Sequence, residues 1–167
     1  MIRVIAPLLM LALTGGCGLR PLYGGGMNSP TRTLLSGIQV APIEGQSGWL
    51  VANALRDRMA ATEAGGAPAY RLDVTLDDQI IGLGVRGDDS VARERRTLRA
   101  RYQLVDLSTG QVVLDATAGS DAGIDVVGSE YATIAAERTA LERLSGIVAD
   151  QMVARLALFA QRQAKGE

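Results

Sequence analysis

Apolar and polar residues alternate along two stretches of the chain, and this period of two is typical of half-buried β-strands. The first stretch runs from Tyr70 to Ile81 and the second from Glu94 to Leu107. Ser108-Thr109-Gly110 predicts a hairpin turn from the second stretch into a further strand, Gln111 to Ala118. A further apolar segment, Leu34 to Ile43, predicts a strand at the start of the domain.

Two other segments repeat apolar residues at helical spacing. Ser47 can cap a helix through about Ala61, and a longer helix is expected from about Ser129 to Arg162. The apolar stripe of the longer helix consists of Leu141, Leu144, Val148, Met152, Leu156 and Phe159. The order β-α-β-β-β-α predicts an α+β fold, in which a mostly antiparallel four-stranded sheet carries two helices on one face and leaves a polar face open.

The N-terminus has the composition of an export signal that ends at the single cysteine, Cys17. Arg3 supplies positive charge, Val4 to Leu13 is apolar but too short to span a bilayer, and Gly15-Gly16 offers small residues before a cleavage point. A cysteine at this position resembles the lipobox of bacterial lipoproteins, in which it is acylated and becomes the first residue, although Thr14 stands where that motif usually has Leu. A plain signal peptide cut elsewhere, or an uncleaved anchor, is the alternative.

These features divide the chain into three parts. We expect residues 1–16 to be a cleaved lipoprotein signal peptide, residues 17–33 a lipidated flexible tether rich in Gly and Pro, and residues 34–167 a single α+β domain. The acyl chains would anchor the protein to a membrane. Among lipoproteins, Gly18 rather than Asp after the cysteine favours the outer membrane.

Composition narrows the range of functions. Without the signal peptide, 16 basic residues stand against 18 acidic ones, so we expect no nucleic-acid partner. The chain has no histidine and one cysteine, which excludes Ser-His-Asp and Cys-His nucleophile systems and His-ligated zinc. The G-x-G-x-x-G spacing from Gly82 to Gly87 precedes a predicted strand rather than a helix, so we interpret Gly82 to Asp89 as a hairpin loop. We therefore expect a protein without a cofactor or a bound metal.

One group of residues remains as a candidate ligand-binding site: the arginines at alternate positions of the second predicted strand, Arg93, Arg95, Arg99 and Arg101. Alternate residues of a strand project from one face, so the guanidinium groups should form a row that can bind phosphates or carboxylates in bidentate fashion. Cross-strand ion pairs with Asp73, Asp77 and Asp115 would occupy the same row without any ligand. The sequence leaves both interpretations open.

The start of the predicted mature chain, Cys17-Gly18-Leu19-Arg20-Pro21-Leu22-Tyr23-Gly24, resembles the LptE family of lipopolysaccharide-assembly lipoproteins in its alphaproteobacterial form. The predicted order of elements, which ends in a long Ala/Arg/Glu-rich helix, is similar to that family's fold. The resemblance implies a non-enzymatic outer-membrane lipoprotein that plugs the LptD β-barrel, supports its assembly and helps lipopolysaccharide reach the outer leaflet. It also implies contact with anionic lipid A phosphates, for which the four arginines are the candidates.

Two other classes of protein are the alternatives. An auxiliary lipoprotein of an envelope ABC-type lipid or solute transport system would also combine a lipobox with a small α/β domain, but the Arg20 to Gly24 segment favours the first interpretation. A lipid-anchored hydrolase would need an Asp/Glu or Ser/Lys site, and Lys165 is the only lysine in the chain.

Overall fold

The computed structural model describes residues 30–60, 67–85 and 91–166, so Cys17 and the predicted signal peptide lie outside the described residues. The described residues form three helices and four strands. In chain order they are α1 (Pro30–Ser36), β1 (Ile38–Val40), α2 (Gly45–Ala60), β2 (Tyr70–Val85), β3 (Val91–Asp106), β4 (Val112–Asp125) and α3 (Glu130–Lys165).

The four strands form one sheet in the order β1-β2-β3-β4. Strands β2, β3 and β4 are antiparallel neighbours, whereas the short β1 pairs in parallel with the first three residues of β2. The predicted α+β class is confirmed, and the sheet is mixed because α2 returns the chain between two parallel strands, as a crossover helix does.

The prediction of a strand from Leu34 to Ile43 is wrong over its first half. Residues Pro30–Ser36 are helical and begin within the segment assigned to the tether. Leu34 and Leu35 are successive residues that are both buried, a pattern that one face of a helix accommodates and a half-buried strand does not. Only Ile38–Val40 are extended, where β2 offers a pairing partner.

Two strands run further than the alternation predicted. Strand β2 continues through the expected loop at Gly82 to Val85, because Gly82 and Leu83 still pair with β3. Strand β4 continues beyond Ala118 to Asp125. Its second half consists mainly of small residues, which hide the alternation in the sequence.

The helices cover one face of the sheet and form the core with it. Leu98, Tyr102 and Leu104 of β3 are buried there, as predicted from the alternation. The apolar stripe of α3 faces them, and Leu144, Val148 and Met152 are fully buried. Ser129 caps α3 by accepting a hydrogen bond from the backbone N–H of Ala132 at 3.4 Å.

Candidate functional site

The sheet face opposite the helices carries the four predicted arginines. The odd-numbered residues of β3 share this face with odd-numbered partners on β2 and β4, since paired residues of antiparallel strands point the same way. We call this surface the open face. Its charge follows the strands, because the central strand contributes Arg93, Arg95, Arg99 and Arg101 while the flanking strands contribute Asp73, Asp77, Asp115, Asp121 and Asp125.

Three of the arginines pair with carboxylates of β4. Arg93 Nη2 lies 2.9 Å from Asp125 Oδ1, and Arg99 Nη2 lies 3.3 Å from Asp121 Oδ2. Arg101 donates through Nε and Nη2 to the two oxygens of Asp115, at 3.2 and 2.8 Å. The last contact has the bidentate geometry expected of a guanidinium and a carboxylate.

The expected pairing with β2 does not form. Asp73 accepts hydrogen bonds from Arg71 of its own strand, and Asp77 accepts from the side-chain amide of Gln79. Arg99 turns toward β4 because Gly119, its cross-strand partner, has no side chain; a Cβ atom there would lie 2.5 Å from the Cδ of Arg99. The sequence prediction named Asp115 correctly as a partner and missed Asp121 and Asp125, which lie in the unrecognised half of β4.

Neighbouring hydrogen bonds stabilise the charged form of the β4 carboxylates. Arg101, together with the side-chain amide of Gln103, lowers the pKa of Asp115 to about 2. The hydroxyl of Thr97 donates to Asp121 at 2.6 Å and is the main cause of the lowered pKa of that carboxyl group, with Arg99 and Arg95 adding to it. Asp115 and Asp121 are therefore held in their charged form beside Arg101 and Arg99.

Arg95 differs from the other three arginines. No carboxylate in the described part of the chain forms a salt bridge with it, and its cross-strand partners are Ile81 and Gly123. A Cβ atom at Gly123 would have no heavy atom within 4 Å. Arg95 is exposed between Arg93 and Arg99, and this is the point of the open face where an external anion meets the least competition.

Arg96, which the sequence analysis did not single out, points to the helix side. It donates to both oxygens of Asp78 at 2.8 and 2.7 Å and to the backbone carbonyl of Glu137 in α3 at 2.9 Å. The side chains of Arg96 and Asp78 are only 13% and 19% exposed. This pair fastens the start of α3 to the sheet, so it has a structural role.

A groove of about 510 Å³ lies between α2 and α3. It is lined in part by the exposed Trp49, by Asn53 and Glu142, and by the buried hydroxyl of Ser145. Within the described ranges, no cluster of three or more acidic, Cys or His residues is arranged to hold a metal ion. None of the helices described is long and apolar enough to cross a membrane.

The architecture is shared with solved bacterial lipoproteins. A lipoprotein from Caulobacter crescentus CB15 is 26% identical over 78% of this chain and 96% of its own, with a TM-score of 0.65. A minor lipoprotein from Acinetobacter baumannii is 12% identical over 74% and 92% of the two chains, with a TM-score of 0.60. Rare lipoprotein B from Shewanella oneidensis is 11% identical over 75% and 99%, with a TM-score of 0.56. The fold is thus that of small α+β bacterial lipoproteins.

The sequence narrows this class to one family. The model of the LptE family, described as lipopolysaccharide-assembly, matches residues 35–156, which is well over half of the chain. The chain therefore belongs to the LptE family, and a role in lipopolysaccharide assembly follows from that membership. No curated protein matches the sequence.

Proposed function

We propose that this protein is a non-enzymatic, lipid-anchored component of the outer membrane that plugs the LptD β-barrel, supports its assembly and assists insertion of lipopolysaccharide into the outer leaflet. The family match over residues 35–156 is the observation that carries the proposal. Acylation at Cys17 would supply the anchor and keep the domain at the inner surface of that membrane.

The shape of the domain is compatible with a plug. Helices cover one face of the sheet, while the open face is polar and its arginines and aspartates largely neutralise one another. A surface of this kind can lie against the polar interior of a large outer-membrane barrel with most of its charges already paired.

The arginine row is proposed as the contact for lipid A phosphates. The ion pairs on the open face are solvent-exposed, with side-chain exposures of 68% for Arg101 and 38% for Asp115. Exposed pairs of this type contribute little to stability, so a phosphate can replace a carboxylate at small cost. Arg95, which forms no salt bridge with the described carboxylates, would bind first, and Arg93, Arg99 and Arg101 would follow.

Affinity purification of the full-length acylated protein from detergent-solubilised envelopes tests the plug. We expect a large β-barrel protein, identified by mass spectrometry, in near-stoichiometric amount. Recovery of ABC-transporter or substrate-binding subunits without a barrel would contradict the proposal and favour an auxiliary transport lipoprotein.

The arginine row is tested separately by charge reversal. Arg99→Glu with Arg101→Glu should reduce binding of purified lipopolysaccharide to the full-length protein by about tenfold or more, because two bidentate contacts are lost. Arg138→Glu with Arg143→Glu makes the same change of charge on α3 and should leave binding within about twofold. Unchanged lipopolysaccharide binding by a folded Arg99/Arg101 variant would exclude the row as the contact.

A further inference from the structure

The two edges of the sheet differ in whether other residues form hydrogen bonds with their outer backbone groups. At the β4 edge, the side chain of Gln151 from α3 accepts a hydrogen bond from the backbone N–H of Gly119 at 3.0 Å and donates one to its carbonyl at 3.3 Å. This side chain occupies the position that a neighbouring strand would take, and covering an edge in this way is a known protection against unwanted strand pairing.

The β2 edge has no such cover over most of its length. Strand β1 pairs only with Tyr70, Arg71 and Leu72. The last contact on this side is the hydrogen bond from the backbone N–H of Ala41 to the carbonyl of Leu72 at 3.0 Å. Beyond it, β2 continues to Val85 and pairs on its inner side with β3.

The direction of the free backbone groups follows from the observed bonds. The N–H of Tyr70 and the carbonyl of Leu72 point toward the β1 side, while the carbonyl of Ala69 accepts a bond from Leu107 on the β3 side. Backbone groups alternate along a strand, so the even-numbered residues of β2 point outward. Within the described chain, no backbone partner faces this edge along Val74, Leu76, Asp78, Ile80 and Gly82. This edge is about 27 Å long at 3.3 Å per residue.

Along its outer edge, strand β2 has one inward-pointing charged residue, Asp78, whose charge is paired with Arg96. Its sequence has no proline and no lysine, and its register with β3 is regular from Tyr70 to Leu83. A long, regular edge of this kind is the template used in β-strand addition, where an extended segment supplies backbone hydrogen bonds and alternate side chains supply specificity.

The two faces beside this edge define the chemistry of the segment. On the open face, Asp77 is hydrogen-bonded by Gln79 but forms no salt bridge within the described residues, because Arg99 is turned to Asp121. On the helix side, Val74 and Leu76 are half-buried and Ile80 is 42% exposed. Asp78, which lies between Leu76 and Ile80 on this side, is already paired with Arg96. A segment docked here would direct one set of side chains at a carboxylate and the other set at apolar residues.

We propose that the outer edge of β2, from Val74 to Gly82, is a docking site for an extended segment of a partner protein in which basic and apolar residues alternate. The segment lies in line with β1, forms backbone hydrogen bonds with the even-numbered residues of β2, places its basic side chains beside Asp77 and packs its apolar side chains against Leu76 and Ile80. This proposal does not rest on lipopolysaccharide binding by the arginines of the open face.

The probe is an acetylated and amidated eight-residue peptide of alternating arginine and valine, added to the ¹⁵N-labelled full-length protein in detergent. We expect binding to slow the hydrogen exchange of the amides of Val74, Leu76, Asp78 and Ile80, which would then be bonded to the peptide. Two further peptides carry N-methyl groups on all valines or on all arginines. One of them should lose affinity by about tenfold or more while the other retains it, because only one parity faces β2.

A matched pair of variants tests the charge. Asp77→Asn should weaken binding of the peptide about threefold, whereas Asp125→Asn, an equal change of charge on the same face at the opposite edge, should leave it unchanged. Equal binding by both N-methylated peptides would show that side chains alone attract the peptide, and this would overturn the proposal. The absence of binding by the unmodified peptide would overturn it as well. Without the peptide, hydrogen exchange at these amides should not depend on the protein concentration. Exchange that slows as the concentration rises would show that a second copy of the chain pairs with the β2 edge, and it would also overturn the proposal.

Discussion

The two sides of β3 use the same strand for opposite purposes. Even-numbered residues such as Leu98 and Tyr102 lie under α3 and are almost completely buried. Odd-numbered residues such as Arg99 and Arg101 are exposed, and their ion pairs are open to solvent. Arginines of β3 pair with carboxylates on both sides of the sheet, yet among these pairs only Arg96–Asp78 is shielded by a helix. Burial, rather than the ion pair itself, therefore decides whether such a contact stabilises the fold or is available to a ligand.

Truncation on the buried side should have the largest effect. Leu98→Ala leaves a cavity beneath α3 and should lower the free energy of unfolding by about 2–5 kcal/mol. Thr97→Ala, one residue away on the open face, removes a hydroxyl and a hydrogen bond to Asp121 and should have a much smaller effect. Denaturant unfolding of the full-length variants measures both. Equal losses for the two variants would contradict the division of β3 into a core side and an open side.

Breaking the shielded Arg96–Asp78 ion pair should have the second-largest effect on the free energy of unfolding. Arg96→Leu leaves the carboxylate of Asp78 half-buried without its partner and removes the bond to the carbonyl of Glu137, which should lower the free energy of unfolding by about 2 kcal/mol. Arg101→Leu, on the open face, should leave the melting temperature nearly unchanged. Combining Arg96→Leu with Asp78→Leu should recover part of the loss, and a double variant less stable than the single one would contradict the assigned role.

Removal of the β4 edge cover should have a smaller effect. Gln151→Ala frees the backbone N–H and carbonyl of Gly119, and we expect a loss of about 1 kcal/mol together with faster hydrogen exchange of the Gly119 amide. Gln163→Ala, at an exposed position near the end of α3, is the control. If the exchange rate at Gly119 is unchanged, Gln151 does not protect this edge in solution.

The smallest effect is expected from titration of the open face. The pKa of Asp115 is lowered to about 2, whereas an unfolded chain has an aspartate pKa near 3.9. Because the folded value is the lower one, the contribution of this pair to stability is fully present above about pH 4 and is lost as the pH falls through about 2. NMR titration of the side-chain carboxyl carbon measures the value.

A variant with an uncharged side chain at position 101 isolates the cause of the lowered pKa of Asp115. Arg101→Gln should return the pKa of Asp115 toward its ordinary value. The pKa of Asp106, which is lowered by hydrogen bonds from Ser108 rather than by an arginine, should not change in the same variant. An unaltered Asp115 titration would show that Gln103 alone, rather than Arg101, accounts for the shift.

Much of the fold follows from the sequence, because alternation and helical spacing are local properties. The burial of Leu98, Tyr102 and Leu104, the stripe on α3 and the start of that helix near Ser129 were predicted and are found. The cap predicted at Ser47 is wrong, because the helix already begins at Gly45. The position of the four arginines on one face follows from the same period of two. Their role in ligand binding, and the lipidation of Cys17, stay predictions.

The pairing of the arginines could not be predicted in the same way. Asp77 and Asp121 lie on the same face on either side of Arg99. The choice of Arg99 between them depends on the register of β4 and on the space left by Gly119. The helix at Pro30–Ser36 was not predicted, because seven residues are too few to show a helical period in the sequence.

Local sequence pattern was thus enough to place the alternating residues of β3 and the apolar stripe of α3 in the core, to put the four arginines on one face and to locate the start of the long helix. Each of these features depends on neighbours within a few positions along the chain. The exposed position of Trp49, expected on the apolar face of α2, could not be predicted in this way. The folded structure was needed to show which carboxylate each arginine contacts and that Gln151 covers one edge of the sheet. It also shows that β2 extends beyond β1, with no backbone partner on its outer edge among the described residues. These features depend on residues that are distant in sequence and are brought together by strand register and helix packing.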